Sequence, residues 1–397
     1  MWRVALAARL GLAVLAVLSV LVTPFNERPG RMDGYDGAAL SGWADRLFGV
    51  WTRWDGQFYL KIAAVGHNAG DNSSAFYPLY PALIKAVGTI LAPLGNLRYI
   101  VAAEAISAAA FIAALLLLHA ASRDLAGGAV ADKTILYTAA FPTAFFFWAA
   151  YSESLFLLLT VGSLYAARKG RWWLAGLAAA LAIFTRVTGV VLLAALFAEL
   201  LVQWWRRRQA ASHPPLAAPV SGRTVLVRDL KAVLALLLPL SGLFALLGYY
   251  QLRVGDPLAF ANVQKNWLRR PDAPWDTIWR GIEVAVKQPF RYGAAAQSYL
   301  NLGCTLLFLL LAVVGWRWLP LSYSVYLAGG LAASLLNPAS AEPLLSLARF
   351  VIVLWPGFIL LGMVGQRSRS FHLVWVVTSL LLLGLLFSRF ANWWFVA

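Results

Sequence analysis

Apolar runs close to the length that crosses a hydrocarbon layer, about twenty residues, recur through most of the chain. Hydropathy predicts spans over 4–22, 99–120, 134–150, 154–167, 172–184, 189–204, 234–250, 302–316, 321–336, 347–365 and 373–387, about eleven in all. The first run follows Arg3 and Arg9. Thr23-Pro24-Phe25-Asn26 behind it lacks a small-x-small cleavage pattern, so a retained helix is expected rather than a secretion signal. Polar segments interrupt the pattern at 24–98, rich in Trp, Gly and charge, at 205–231, which reads as a flexible linker around His213-Pro214-Pro215, and at 252–300. Within the first of them, the apolar stretch after Phe76-Tyr77-Pro78-Leu79-Tyr80-Pro81 holds Lys85 and several prolines. It is expected to lie at the membrane interface rather than cross. No soluble domain separates out, so residues 1–397 are expected to form one integral membrane domain.

Short loops orient the spans. With the N-terminus cytoplasmic and the Pro78 stretch not crossing, Arg123, Lys133, Arg168-Lys169-Gly170-Arg171, Arg206-Arg207-Arg208, Arg317 and Arg367-Ser368-Arg369 all fall inside. The same parity gathers the Asp55 loop, Glu153, Arg186, the 252–301 loop and residues 337–346 on the outer face. Most of the seventeen acidic residues fall there too, an asymmetry that points to an outer polar site.

Composition agrees with this reading. The chain is 61% hydrophobic and 13% charged, with a mean hydropathy of +0.71, where soluble domains run nearer a quarter charged. A net charge of +16 would suit nucleic acid, but the basic residues sit in short clusters between apolar runs, as expected for anionic lipid surfaces. The single cysteine, Cys304, excludes a disulfide within the chain and any Cys-based metal site.

Candidate chemistry follows from the polar residues that the outer face collects. In Arg53-Trp54-Asp55-Gly56-Gln57-Phe58-Tyr59, Asp55 suits a general base taking a proton from an acceptor hydroxyl; paired locally to Arg53, it would be only part of an aromatic interfacial loop. His67, Asn68, Asp71 and Asn72 suit sugar hydroxyls or a solvated turn, and show no metal-ligand spacing. Glu153 begins a span, either as a first-turn acid behind an Ser152 N-cap or as a group facing an outer cavity. Arg186 and Arg349 interrupt apolar stretches, where a guanidinium clamps a lipid-linked phosphate or snorkels to headgroups. Glu104 and Glu199, inside predicted spans, are expected to face protein or an interface. Lys265, Arg269, Arg270 and Arg280, mixed with Trp267, Trp275 and Trp279, suggest a basic surface helix that touches lipid and lines an acceptor entrance.

Several segments together resemble one family. Arg53-Trp54-Asp55-Gly56 with Ile62-Ala63 and Gly66, and Ala75-Phe76-Tyr77-Pro78-Leu79-Tyr80-Pro81, are similar to the opening of PIG-V-type mannosyltransferases, a group with many bacterial members. Phe141-Pro142-Thr143-Ala144, Tyr151-Ser152-Glu153-Ser154-Leu155-Phe156, Thr185-Arg186-Val187-Thr188-Gly189 and Ser346-Leu347-Ala348-Arg349-Phe350 follow in the same order. The resemblance implies an all-α, polytopic GT-C-type glycosyltransferase with interfacial helices in its first outer loop. It implies a polyprenyl-phosphate sugar, mannose by analogy, as donor, a glycolipid or glycan acceptor, and work on the outer face of a bacterial plasma membrane. No cofactor is implied. The implied chemistry is displacement with inversion, Asp55 taking the acceptor proton and a cation such as Arg349 steadying the departing phosphate. Arg53, Trp54, His67, Tyr77, Glu153, Arg186 and Arg349 are the expected substrate-binding set. The chain departs from the family pattern at Ala348, where proline is expected, and at His67, where an aromatic is expected. The competing reading is a polytopic transporter or lipid flippase, against which stand the one-sided polar residues and the lack of a visible repeat.

Overall fold

A computed structural model describes residues 2–26, 48–212, 230–287 and 294–396, together with Leu40, Gly42 and Asp45. The described residues are helical, with no strand and one isolated antiparallel bridge between Arg269 and Ala339. The all-α expectation therefore holds. The part of the proposed linker from 213 to 229 lies outside the described residues.

Helices α1 (Trp2–Val22) and α2 (Asp55–Val65) precede α3 (Leu79–Ile90), α4 (Arg98–Ala126) and α5 (Gly128–Ala140). Next come α6 (Glu153–Arg168), α7 (Trp172–Thr185), α8 (Val191–Ser212) and α9 (Leu237–Val254). The C-terminal part holds α10 (Pro274–Lys287), α11 (Ala294–Trp318), α12 (Leu321–Leu335), the one-turn α13 (Leu347–Phe350), α14 (Pro356–Arg367) and α15 (Arg369–Ala391). Among the described residues, six helices are long and apolar enough to cross a membrane, or up to seven if Leu347–Val353 and Pro356–Arg367, bent by 83°, count as one span. The difference from about eleven lies in α5, α6, α7 and α12. Hydropathy sees unbroken apolar runs there, but the helices have only 13, 16, 14 and 15 residues. The expected span 134–150 shows the cause. Phe141, ahead of Pro142, turns extended (φ −56°, ψ 145°), ends α5, and hands the chain to a 3-10 turn at Ala144–Phe147. With 12 residues, α3 extends only about 18 Å, too short to cross, in keeping with an interfacial place.

Small residues let the helices close on one another, as membrane packing requires. A Cβ added at Gly242 of α9 would stand 2.9 Å from Ala180 Cα of α7, and one at Gly362 of α14 would stand 2.7 Å from Thr134 Oγ1 of α5. Trp355, fully buried, is wedged edge-on against Tyr323 at 4.5 Å and beside Tyr326 at 6.1 Å, and fills the bend before Pro356. The two acids inside predicted spans meet protein partners: Arg9 Nη2 donates to Glu104 at 2.7 Å, and Ser322 Oγ donates to Glu199 at 2.6 Å. On α10, Trp275 and Trp279 stay exposed, while Thr277, Gly281 and Ala285 form its buried face.

Candidate active site

Each charge that the chain contributes to the site lies at or close to the end of a helix. Asp55 opens α2, behind Trp54 at φ 55°. Glu153 opens α6. Arg186 is the extended residue (φ −159°, ψ 136°) between α7 and the 3-10 turn Val187–Val190. Arg349 lies in α13, behind Ser346 at φ 70°.

Backbone and hydroxyl bonds hold these breaks together. Ala150 N–H donates to Trp51 O at 2.8 Å, Tyr151 Oη–H to Arg53 O at 2.9 Å, and Tyr59 Oη pairs with Ser152 Oγ at 2.8 Å. Ser152 is thus spent on Tyr59 and makes no side-chain cap of α6, which sets aside the N-cap alternative of the two that the sequence left open. The α13 turn is held by Thr143 Oγ1, which donates to Ala348 O at 2.7 Å, and by Ala348 N–H, which donates to Asn301 Oδ1 at 3.0 Å. Proline, the residue expected at 348, has no N–H for that bond.

An ionic chain results. Arg349 Nη1 donates to Asp55 Oδ2 at 2.7 Å, although the two lie 294 residues apart. Arg349 Nε is 3.4 Å from Glu153 Oε1, which also accepts from Arg186 Nη1 at 2.7 Å. Arg269 joins them: its guanidinium lies 5.9 Å from the Phe350 ring centroid, with Arg186 at 5.3 Å and Arg349 at 5.2 Å from the same ring. Burial, with the neighbouring Arg349 charge, pushes Arg269 down to about 10, so it stays cationic at neutral pH. Three guanidinium groups against two carboxylates leave one positive charge over, a balance suited to an anion.

Asp55, Tyr59, Tyr77, Arg186, Arg269 and Arg349 line one cavity of about 360 Å³. That lies within the range of small-ligand sites. Its surroundings are strained. Trp54, Leu268, Ser346 and Trp393 are the four non-glycine residues with positive φ among the described residues. Trp54 precedes Asp55, Leu268 precedes Arg269, Ser346 lines the cavity, and Trp393 packs against Trp54 at 5.9 Å. Each such conformation costs on the order of 1–3 kcal/mol and persists only where the surroundings impose it, typically at functional sites.

Not every expected site residue faces the cavity. Arg53, fully buried, donates to Asp45 Oδ1 at 2.7 Å, to Asp45 O at 2.9 Å and to Ala391 O at 3.3 Å, so it ties the loop to the end of α15 rather than pairing with Asp55. Trp54 packs edge-on to Trp393 and, at 5.3 Å, to Phe395, so the C-terminal segment roofs the Asp55 turn. Glu153 is 1% exposed and sits behind the arginines, correcting the expectation that it faces the cavity. Tyr77 does line the cavity, its ring 5.8 Å from that of Phe260.

His67 is buried away from the cavity. Its Nε2 meets the Phe76 carbonyl at 2.7 Å, so Nε2 carries the proton and Nδ1 accepts from Tyr249 Oη at 2.8 Å. Burial lowers its pKa, which keeps this neutral tautomer at neutral pH. His67→Ala is expected to cost about 1–3 kcal/mol of stability. An unshifted melting temperature by scanning fluorimetry would refute that role.

Arg269 is the site residue that sequence reading failed to single out. Its neighbours Lys265 and Arg270 are exposed while it is largely buried, and charge pattern alone does not separate the three.

A family model described as Mannosyltransferase (PIG-V) matches residues 29–254, more than half of the chain. The chain belongs to the PIG-V mannosyltransferase family. Asp55, Glu153 and Arg186 fall inside the matched residues; Arg269 and Arg349 lie beyond them. Among curated relatives, GPI alpha-1,6-mannosyltransferase 2 of Mus musculus is 30% identical over 203 residues, covering 48% of this chain and 40% of that protein. The Rattus norvegicus protein of the same name is 29% identical over 160 residues, 37% of this chain and 31% of that one. The matches thus span well under half the length of these relatives. Among solved structures, ArnT from Cupriavidus metallidurans bound to undecaprenyl phosphate superposes with a TM-score of 0.46 at 13% identity, covering 92% of this chain and 62% of that one. The Archaeoglobus fulgidus oligosaccharyltransferase tethered to an acceptor peptide gives a TM-score of 0.45 at 12% identity, covering 98% and 55%.

Proposed function

We propose that this multi-pass membrane protein is a GT-C-type glycosyltransferase. In this reading it moves mannose from a polyprenyl-phosphate donor to a lipid-linked or glycan acceptor at the non-cytoplasmic face. Family membership supports the class of reaction. The observation that carries the mechanism is the 2.7 Å contact between Asp55 and Arg349 in a cavity where cations outnumber acids. One side chain of the pair suits a proton acceptor and the other a leaving phosphate.

In the proposed step, the acceptor hydroxyl oxygen forms a bond to the anomeric carbon while the bond from that carbon to the phosphate oxygen breaks. Asp55 takes the hydroxyl proton. The phosphate leaves with the bonding electron pair, and Arg349 stabilises the charge that gathers on it. In-line displacement puts base and leaving group on opposite faces of the sugar, which inverts the anomeric centre. The Asp55–Arg349 contact must therefore part as sugar enters. Phosphate competes with Asp55 for Arg349, so donor binding itself frees the base. Glu153, beside both Arg186 and Arg349, acts as a positioning residue that keeps the two guanidinium groups aimed at the cavity. The non-cytoplasmic assignment rests on the basic short loops, which fall at the helix ends away from Asp55.

Purified protein in lipid nanodiscs, given polyprenyl-phosphate mannose and a panel of glycolipid acceptors, is expected to form a mannosylated lipid whose new linkage is inverted relative to the donor. Release of free mannose alone with every acceptor, or retained configuration, would overturn the reading.

A further inference from the structure

Two loop segments that the proposed step does not use close one side of the cavity. Residues 268–272 and 336–340 run antiparallel: Arg270 N–H donates to Pro338 O at 3.2 Å, Asp272 N–H to Leu336 O at 3.0 Å, and Ser340 N–H to Leu268 O at 2.9 Å. The Arg269 side chain rivets the strap, Nη1 donating to Asn337 O at 2.8 Å and Nη2 to Leu345 O at 3.3 Å.

Asn337 is held by its backbone while its side chain makes no hydrogen bond among the described residues. Its Oδ1 is buried and unpaired, and the residue lines the cavity. Buried amide oxygens are normally satisfied, and an unpaired one on a cavity-lining residue points to a partner that the cavity admits once the side chain turns. Two further polar groups line the same cavity. Gln264 Nε2 makes only a 3.3 Å bond to Phe260 O, and its Oε1 accepts none among the described residues. Ser334 Oγ donates its proton to Gly330 O at 2.9 Å, leaving lone pairs to accept. Trp267 adds an apolar wall, partly exposed and edge-on to Phe58 at 5.9 Å.

These groups differ in chemistry from the arginines of the same cavity. An ionised phosphate brings acceptors and no donors, so it could take only the amide N–H groups of Asn337 and Gln264 and would leave their oxygens unpaired. An alkyl chain brings neither donors nor acceptors. A sugar ring brings hydroxyls that donate and accept, together with an apolar C–H face that packs on an indole. We propose that Asn337, Gln264 and Ser334, with Trp267, form a sugar-hydroxyl subsite of the cavity, beside Arg269, whose guanidinium is already engaged by the Asn337 and Leu345 carbonyls. The subsite rests on the glycosyl-transfer reading above, and the sugar it holds belongs to either the donor or the acceptor.

The test uses the full chain in nanodiscs free of glycoside detergent. Methyl α-mannoside and methyl α-glucoside are probed by saturation-transfer difference NMR, and polyprenyl phosphate is titrated separately. Wild type is expected to give a glycoside signal, and Asn337→Ala or Gln264→Ala to weaken glycoside binding about tenfold, roughly the effect of one lost hydrogen bond to a buried group. Both variants are expected to bind polyprenyl phosphate as wild type does, which also shows that they are folded. Adding saturating polyprenyl-phosphate mannose assigns the subsite to the donor sugar if the glycoside signal disappears, and to the acceptor if it persists. A wild-type chain that binds polyprenyl phosphate but neither glycoside, or variants with undiminished signal, would overturn the subsite and leave Asn337 to water alone. Glycoside binding without polyprenyl-phosphate binding would instead remove the donor reading and keep the subsite.

Discussion

Asp55→Asn is expected to lower the transfer rate by about 10²–10⁴-fold, the usual share of a general base. The side chain keeps its shape but no longer takes a proton. The fold should survive, because Asp55 is 24% exposed and Arg349 retains Glu153 at 3.4 Å when the Asp55 charge is removed. Parallel measurements of transfer and of melting temperature decide the matter. Equal transfer by the two proteins would remove Asp55 as the base. A large drop in melting temperature with proportionate loss of activity would recast it as a structural anchor for Arg349.

Arg349→Ala should cost about 10²–10³-fold in transfer, the range seen when one group that stabilises developing negative charge is deleted. Two effects combine. The leaving phosphate loses its cation, and Asp55 loses the partner that holds it. Glu153 keeps Arg186 at 2.7 Å, so the variant does not strand a buried carboxylate without any counter-charge. Arg349→Lys should recover only part of the loss. An ammonium is a point charge, whereas the guanidinium reaches Asp55 through Nη1 and Glu153 through Nε at the same time. Titration of polyprenyl phosphate separates binding from chemistry: Arg349→Ala should weaken phosphate binding, and Asp55→Asn should not. Unchanged phosphate affinity in Arg349→Ala would exclude the clamp.

Much of the fold was legible because its signal is local. Apolar runs placed a helix at every expected span, and Pro78, Pro81 and Pro93 marked α3 as a segment that does not cross. What hydropathy misread was continuity. A window that averages residues 134–150 does not register that Phe141-Pro142 ends α5 at Ala140, yet that break supplies the turns that carry the chain to Glu153. The candidate site was legible as residue types near helix breaks: Arg186 and Arg349 interrupt apolar stretches, Glu153 begins one, and Asp55 stands in the polar segment between two of them. Pairings were not. Asp55 has Arg53 two positions away, but the helix start aims the two side chains apart, and Arg53 goes to Asp45.

The sequence alone determined that this chain lives in a membrane, which loops share a face, and which few charges stand out against the apolar background. Each of these depends on the composition of a short window. The tertiary structure alone decided which charges meet. It joined Asp55 to Arg349 across 294 residues, placed Glu153 behind two arginines, and half-buried Arg269 while leaving Arg270 exposed. It also left the buried side-chain oxygen of Asn337 without a partner among the described residues. Burial and distance decide those outcomes, and in a chain with 33 lysines and arginines they are properties of the packed bundle rather than of any one segment.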